Sequence, residues 1–178
     1  MKLFHTSQVV IEKPDVHHGR KNADFGQGFY LSPDEEFVYR WAVKDAYINE
    51  YELNTEGLKI VSFSRSAEWF DYIFQNRRTN DTIEADVIIG PIANDTIYDT
   101  FGIISSGFLR PEEALELLMV GPEYIQVAIK TQKAADQLNW LRATKIENAD
   151  NMRNILKKEQ DDYQKAFADS MKKIEDRE

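Results

Sequence analysis

The sequence predicts an α+β fold on three observations. Short strand-like apolar runs alternate irregularly with helical windows, no βαβ rhythm spaces them as a doubly wound parallel sheet would, and the C-terminal stretch reads as one long helix. Lys2 to Val10 reads as a strand with a break at Thr6-Ser7. Residues 12–28 hold Pro14, Gly19, Asn22, Gly26 and Gly28 and read as a loop. Phe29-Tyr30-Leu31 is a short strand, and Ser32-Pro33-Asp34-Glu35 is a helix start, with Ser32 as cap and Glu35 completing a capping box. Phe37, Val38, Trp41 and Ala42 follow at helical spacing. Tyr51–Leu53 and Leu58–Phe63 read as two strands around a turn at Asn54–Gly57. Glu68–Asn76 is helical, Val87–Ile89 a buried strand ending at Gly90-Pro91, and Asn94 or Asp95 caps a helix that stops near Gly107. Pro111–Met119 is a helix with Glu112 and Glu113 in its first turn. Tyr124–Ile129 is a strand and Lys133–Leu141 a helix.

From Glu147 the chain has no Gly and no Pro, and Met152, Leu156, Tyr163, Phe167, Ser170 and Ile174 recur near heptad spacing. The domain reading is therefore a body over residues 1–145 and an amphipathic helix over 146–178. Two fates are open for that helix: packing on its own domain, or docking a partner or a second copy.

Composition narrows the chemistry. The 178 residues include no cysteine, which excludes disulfides, thiolate zinc sites and a cysteine nucleophile. Nothing resembles a signal-peptide core or a membrane span, so a cytoplasmic protein is expected, with no membrane partner. A net charge of −9 argues against nonspecific nucleic-acid binding. Residues 1–31 differ from the rest: Lys2, Lys13, Arg20 and Lys21 stand against Glu12, Asp15 and Asp24, and all three histidines, His5, His17 and His18, lie there. An anionic ligand would find its natural host in this segment. A metal site from the three histidines is disfavoured, because they lack helical His-x-x-x-His spacing and a spaced carboxylate.

Three pieces carry candidate chemistry: Leu3-Phe4-His5-Thr6-Ser7; Asp24-Phe25-Gly26-Gln27-Gly28-Phe29-Tyr30-Leu31; and Glu123-Tyr124-Ile125-Gln126-Val127-Ala128-Ile129. Singly each is weak. A histidine near a strand is more often structural, Tyr30 and Trp41 could be core, and Gln126 could be an ordinary edge-strand residue. Gly26 and Gly28 allow close backbone approach to a ligand, but Leu31 stands where a dinucleotide fingerprint needs its third glycine.

In order and at this spacing, the three pieces resemble the ADP-ribosyltransferase superfamily, in the clade of poly-ADP-ribose polymerases and diphtheria toxin. More closely, residues 1–145 resemble a bacterial family of unknown function assigned to that superfamily, through Phe4-His5-Thr6-Ser7, Gly19-Arg20, Asp24 to Leu31, Trp41-Ala42, Asp86 to Asp95 and Gln126 to Thr131. The resemblance implies two small antiparallel sheets around an NAD cleft, with peripheral helices. It implies mono-ADP-ribosyl transfer from NAD, as substrate and without metal, to a protein or nucleic-acid target. Small bacterial proteins of this kind are often toxins paired with a neutralising antitoxin or acting in defence, and the C-terminal helix is where such a partner could dock.

By the same resemblance, His5 hydrogen-bonds the adenine-side ribose and pyrophosphate region, the Thr6 backbone pairs with the nicotinamide amide, and Tyr30 stacks on the nicotinamide ring. Phe25, Gly26, Gly28 and Phe29 form the surrounding motif, and Trp41, one to three turns into its helix, supplies a second aromatic. Arg20 is a candidate for the pyrophosphate, because a guanidinium fork suits phosphate oxygens. Active relatives carry a glutamate that contacts the ribose 2′-hydroxyl. Here Gln126 aligns with it, and Glu123 is the alternative. A glutamine can bond the hydroxyl but carries no charge and accepts no proton. Polymer formation is disfavoured on that ground, while transfer to one target, NAD hydrolysis and non-catalytic NAD or ADP-ribose binding stay open. Asn94 and Asp95 are either a helix cap or a border of the acceptor side.

Overall fold

The computed structural model describes residues 1–79, 81–93, 109–147 and 149–177. The chain divides into two compact units: Met1–Ile92 with Tyr124–Arg153, and Ala93–Glu123 with Asn154–Glu178. The first is α+β. Its strands are β1 (Lys2–Ser7), β2 (Phe29–Leu31), β3 (Tyr47–Leu53), β4 (Ile60–Ser62), β5 (Val87–Pro91), β6 (Ile125–Ile129) and β7 (Leu138–Lys145). Its helices are α1 (Glu35–Val38), α2 (Ala67–Arg78) and the single turn after β6, Gln132–Asp136. In the second unit lie Pro111–Leu118, which we call α3, and the greater part of the last helix, Ala149–Glu175; the turn after β6 is then α4 and the last helix α5.

Two sheets form the first unit: β1-β3-β7, and β2-β6-β5-β4. All pairs are antiparallel except β4–β5, which is parallel. Strand alternation explains the packing. Phe29, Leu31, Val87, Val127 and Ile129 share one face of the four-stranded sheet and meet Leu3, Tyr51, Leu53 and Leu138 in one cluster. The opposite face carries Tyr30, Ile88, Gly90, Gln126 and Ala128.

Several elements differ from the sequence reading. Lys133–Leu141 is not one helix: α4 ends at Asp136, and Leu138–Lys145 is strand β7. Ala134, Ala135 and Leu138 favour a helix locally, but pairing with β3 from Tyr47↔Lys145 to Leu53↔Leu138 captures the segment. Tyr51–Leu53 and Leu58–Phe63 are not a hairpin. Their strands enter different sheets, because Ile60–Ser62 pairs in parallel with Val87–Ile89. That pair also means that the second sheet is not wholly antiparallel. Ser32 does not cap α1; Asp34 does, accepting from the Phe37 amide at 3.1 Å. Ser32 is held as a strand residue, exchanging both backbone hydrogen bonds with Phe4 and donating its hydroxyl to the Ile125 carbonyl at 2.8 Å. The helix is a single turn that tightens into a 3₁₀ turn at Tyr39–Trp41, so Trp41 is not one to three turns into a regular helix.

Helix α2 follows its local signals: Ser66 accepts from the Trp69 amide, Glu68 sits in the first turn and Arg77 and Arg78 in the last. In the second unit, Leu109 and Leu117 pack with Ile174, Phe167 and Met171 of α5. That part of the helix's apolar face is used within its own unit. The helix expected from Asn94 or Asp95, and both residues, lie outside the described residues.

Candidate functional site

The site begins where the two sheets meet. Phe4 and Ser32 exchange both backbone hydrogen bonds, at 2.8 and 2.9 Å, in an isolated antiparallel bridge between β1 and the residue that follows β2. One step further along such a ladder, Thr6 would face Tyr30 and exchange the next pair. Instead, His5 Nδ1 takes the Tyr30 carbonyl at 2.7 Å. A carbonyl only accepts, so Nδ1 carries the proton, and the neutral ring keeps Nε2 as an acceptor. By strand alternation, the N–H and C=O of Thr6 point to the same edge as those of Phe4. The Thr6 hydroxyl donates away from that edge, to the Val38 carbonyl at 2.5 Å. The parted ladder therefore offers one donor and one acceptor on an extended edge.

The His5 ring rests against Phe29, centroids 4.4 Å apart, and Phe29 meets Tyr51 edge-on at 5.8 Å. Phe29 and Tyr30 occupy opposite faces of β2. His5 thus reaches the Tyr30 backbone rather than its ring. Burial holds the His5 pKa below the ordinary 6.5, against the raising effect of the Tyr30 carbonyl. The unfolded chain therefore binds this proton more readily than the folded one. Stability from this group is unaffected above pH 6.5 and is lost as pH falls from 6.5 toward the lower folded value. We expect urea unfolding of wild type and His5→Gln to show stabilities that run parallel above pH 6.5 and diverge below it, the variant falling less; parallel curves throughout would contradict the buried neutral ring.

On the opposite face, the loop Asp24–Gly28 folds back over the sheet. Tyr30 Oη donates to the Gly26 carbonyl at 2.7 Å and accepts from the Phe25 amide at 2.9 Å. Burial pushes the Tyr30 phenol well above its usual pKa, so it stays a neutral donor. Phe25 is fully buried against Phe63 and Tyr72, and its ring lies where a side chain on Gly90 would be. Gly26 adopts φ +72, and a Cβ there would fall 2.7 Å from Asp81 Oδ2 and 2.8 Å from Lys130 Nζ. A Cβ on Gly28 would fall 2.6 Å from the Ile129 carbonyl oxygen. The close approaches at these glycines are to atoms of the protein itself.

Gln126 is 8% exposed and sits opposite Gly90 on the Tyr30 face. Its Nε2 donates to Asp24 Oδ2 at 2.9 Å and more weakly to the Pro91 carbonyl at 3.4 Å. Asp24, also 8% exposed, accepts from Arg77 Nε at 2.6 Å and pairs with Arg77 Nη2. Asn76 donates to the Asp24 carbonyl at 3.1 Å. Lys130 bridges Asp81 at 2.7 Å and the Phe25 carbonyl, holding the loop from its other side.

The structure brings together His5, Thr6, Phe25, Gly26, Gly28, Phe29, Tyr30 and Gln126 around β1, β2 and β6. Arg20 is exposed in the loop before them. Trp41 is 53% exposed, edge-on to Phe37 at 4.7 Å, and Phe37 stacks on Tyr124 at 4.5 Å. Glu123 is exposed and belongs to the second unit. His17 and His18 are exposed in a 3₁₀ turn capped by Asp15, and His18 pairs with Asp15 at 3.1 Å. Among the described residues, no group of three or more His, Asp or Glu is placed to hold a metal ion, and no helix is long and apolar enough to cross a membrane. Sequence reasoning missed Asp24, Arg77 and Lys130. Asp24 was visible as an acid at the head of the glycine motif, but its partners lie 53 and 102 residues away.

Residues 1–140 match a family model described as a protein of unknown function, DUF3990. No curated protein matches the chain.

Proposed function

The chain belongs to the DUF3990 family, and on that premise we propose that it is a mono-ADP-ribosyltransferase of the ADP-ribosyltransferase fold, taking NAD as substrate and acting as a toxin or defence factor. The observation that carries the reading is the parted β1–β2 ladder. His5 satisfies the Tyr30 carbonyl in place of a backbone donor, and this leaves the Thr6 N–H and C=O directed at the gap. One donor beside one acceptor on an extended edge is the complement of a primary carboxamide, the group that nicotinamide carries. His5 Nε2, an acceptor in the neutral ring, suits a ribose hydroxyl.

Tyr30 would stack on the nicotinamide ring, and Gln126 would accept from the hydroxyl of its ribose. The bond from the nicotinamide nitrogen to ribose C1′ breaks with its electron pair leaving on nicotinamide, and an acceptor nucleophile bonds C1′ and gives up its proton. Holding both fragments while the sugar carries oxocarbenium character is the chain's share of the work. A second reading, an NAD or ADP-ribose binding module without turnover, is favoured by one feature: the only described carboxylate bonded to Gln126, Asp24, is itself tied to Arg77. Purified protein is incubated with labelled NAD and cell lysate, beside His5→Ala and Tyr30→Ala. Label on a discrete protein or nucleic-acid band, lost in both variants, is expected. Free ADP-ribose without a labelled target would point to an NAD glycohydrolase, NAD binding without nicotinamide release to the module, and no NAD binding would overturn the reading.

A further inference from the structure

We propose that Asp24 is a positioning residue that fixes the amide of Gln126 in one orientation, so that only its oxygen, Oε1, faces the ribose of the nicotinamide half. The inference rests on the NAD reading above for the ligand, but on geometry alone for the orientation. The two groups beside the Gln126 nitrogen, the Asp24 carboxylate at 2.9 Å and the Pro91 carbonyl at 3.4 Å, can only accept. Turning the amide over would set its oxygen against both. The orientation therefore follows from the chemistry of its two neighbours. A free amide offers a ligand either a donor or an acceptor. This one offers an acceptor, which is what a carboxylate would offer at the same position.

The arrangement also explains how the site tolerates a glutamine. Asp24, Arg77 and Gln126 carry formal charges of −1, +1 and 0, with Asp24 and Gln126 buried and the Arg77 side chain largely so. The Asp24 charge lies on the nitrogen side of the amide, where it polarises the group and makes Oε1 the better acceptor. A carboxylate at position 126 would face that of Asp24 directly. Gln126→Glu is thus not the restoration of an active site that alignment with active relatives would suggest, because here the negative charge already stands one hydrogen bond behind the amide.

The isosteric swap tests this. In Asp24→Asn/Gln126→Glu, the introduced amide accepts from Arg77 through its oxygen and donates through its nitrogen to the introduced carboxylate, so shape and net charge are conserved and only the weaker 3.4 Å contact to the Pro91 carbonyl is lost. Wild type, both single variants and the double variant are compared by urea unfolding, by NAD affinity and by nicotinamide release at saturating NAD. Each single variant is expected to lose stability and at least tenfold in NAD affinity or turnover, and the double variant to recover most of both. The carboxyl introduced by Gln126→Glu keeps its proton to higher pH beside a like charge, and its protonated form donates as the amide does. The ratio of Gln126→Glu to wild-type affinity should therefore rise as pH falls, which a purely structural role for Asp24 would not produce. Gln126→Glu alone matching or exceeding wild type, or a double variant no better than the worse single one, would overturn the proposal. Absence of NAD binding by wild type would sink the ribose assignment along with the NAD reading, while the stability cycle would still decide whether Asp24 sets the amide.

Discussion

Arg77→Met is expected to lower stability by about 3 kcal/mol, because the buried Asp24 carboxylate loses a cationic partner. Arg77 and Asp24 are both largely buried, with side-chain exposures of 13% and 10%. Desolvation offsets much of the attraction in such a pair, so the intact pair adds little net stability. Removing one partner leaves the cost of the other, about 3–5 kcal/mol for buried pairs. Gln126 still donates to Asp24, which places the expectation at the lower end. In a chain of this length, about 3 kcal/mol corresponds to a fall in Tm of roughly 6–12 °C. Asp24→Asn/Arg77→Met should be the more stable of the two variants, since it removes the buried Asp24 charge together with its Arg77 partner. Chemical denaturation of both checks the sign. A single variant as stable as wild type would mean that Asp24 is far better solvated than the structure shows.

Gly19→Ala is expected to be as damaging, for a different reason. Gly19 has φ −67 and ψ 155, extended backbone that any residue adopts. Its need for glycine comes from its neighbour: a Cβ would stand 2.2 Å from the Gly28 carbonyl oxygen and 3.1 Å from its nitrogen. Both are backbone atoms, so no side-chain rotation relieves the contact. Gly28 is itself pressed against the Ile129 carbonyl, so the loop cannot retreat toward β6. Forcing extra carbon into a well-packed place costs about 1–3 kcal/mol and sometimes more, and the upper end applies where backbone must move. The displaced segment leads into Tyr30 and carries Asp24, Phe25 and Gly26. NAD binding should therefore fall more than tenfold in the folded fraction, whereas Gly57→Ala, at φ +69 with nothing nearby, should cost only backbone strain and leave NAD binding intact. Thermal melts with NAD titration separate the two effects. Normal stability and affinity in Gly19→Ala would show that the two loop strands are not pressed together.

Both expectations turn on contacts between residues far apart in sequence, which no local signal encodes. Elements with a complete local signal were legible. The helical window Glu68–Asn76 announced α2, the apolar run before Gly90-Pro91 announced β5, and a stretch without Gly or Pro announced α5. The crowded residues Gly26, Gly28, Phe29 and Tyr30 were visible as a motif, and His5 as a histidine on the first strand. The signals that misled were also local. Ser32-Pro33-Asp34-Glu35 holds two competent caps, and the choice fell to Asp34 because Ser32 is committed to pairing with Phe4.

Hydrogen-bond capping, helical period and turn chemistry act within a few residues, so the amino-acid order by itself determined the α+β class, most element positions and the cluster of unusual residues before β2. Which strands neighbour one another depends on pairings across tens of residues, where many registers satisfy the same alternation. Only the tertiary structure decided that Leu138–Lys145 is a strand, that β3 and β4 part into different sheets, and that the β1–β2 ladder opens at Thr6. It alone decided that Gln126 meets an acid 102 positions away, because a carboxylate's partner is set by which buried donors surround it once the chain has closed.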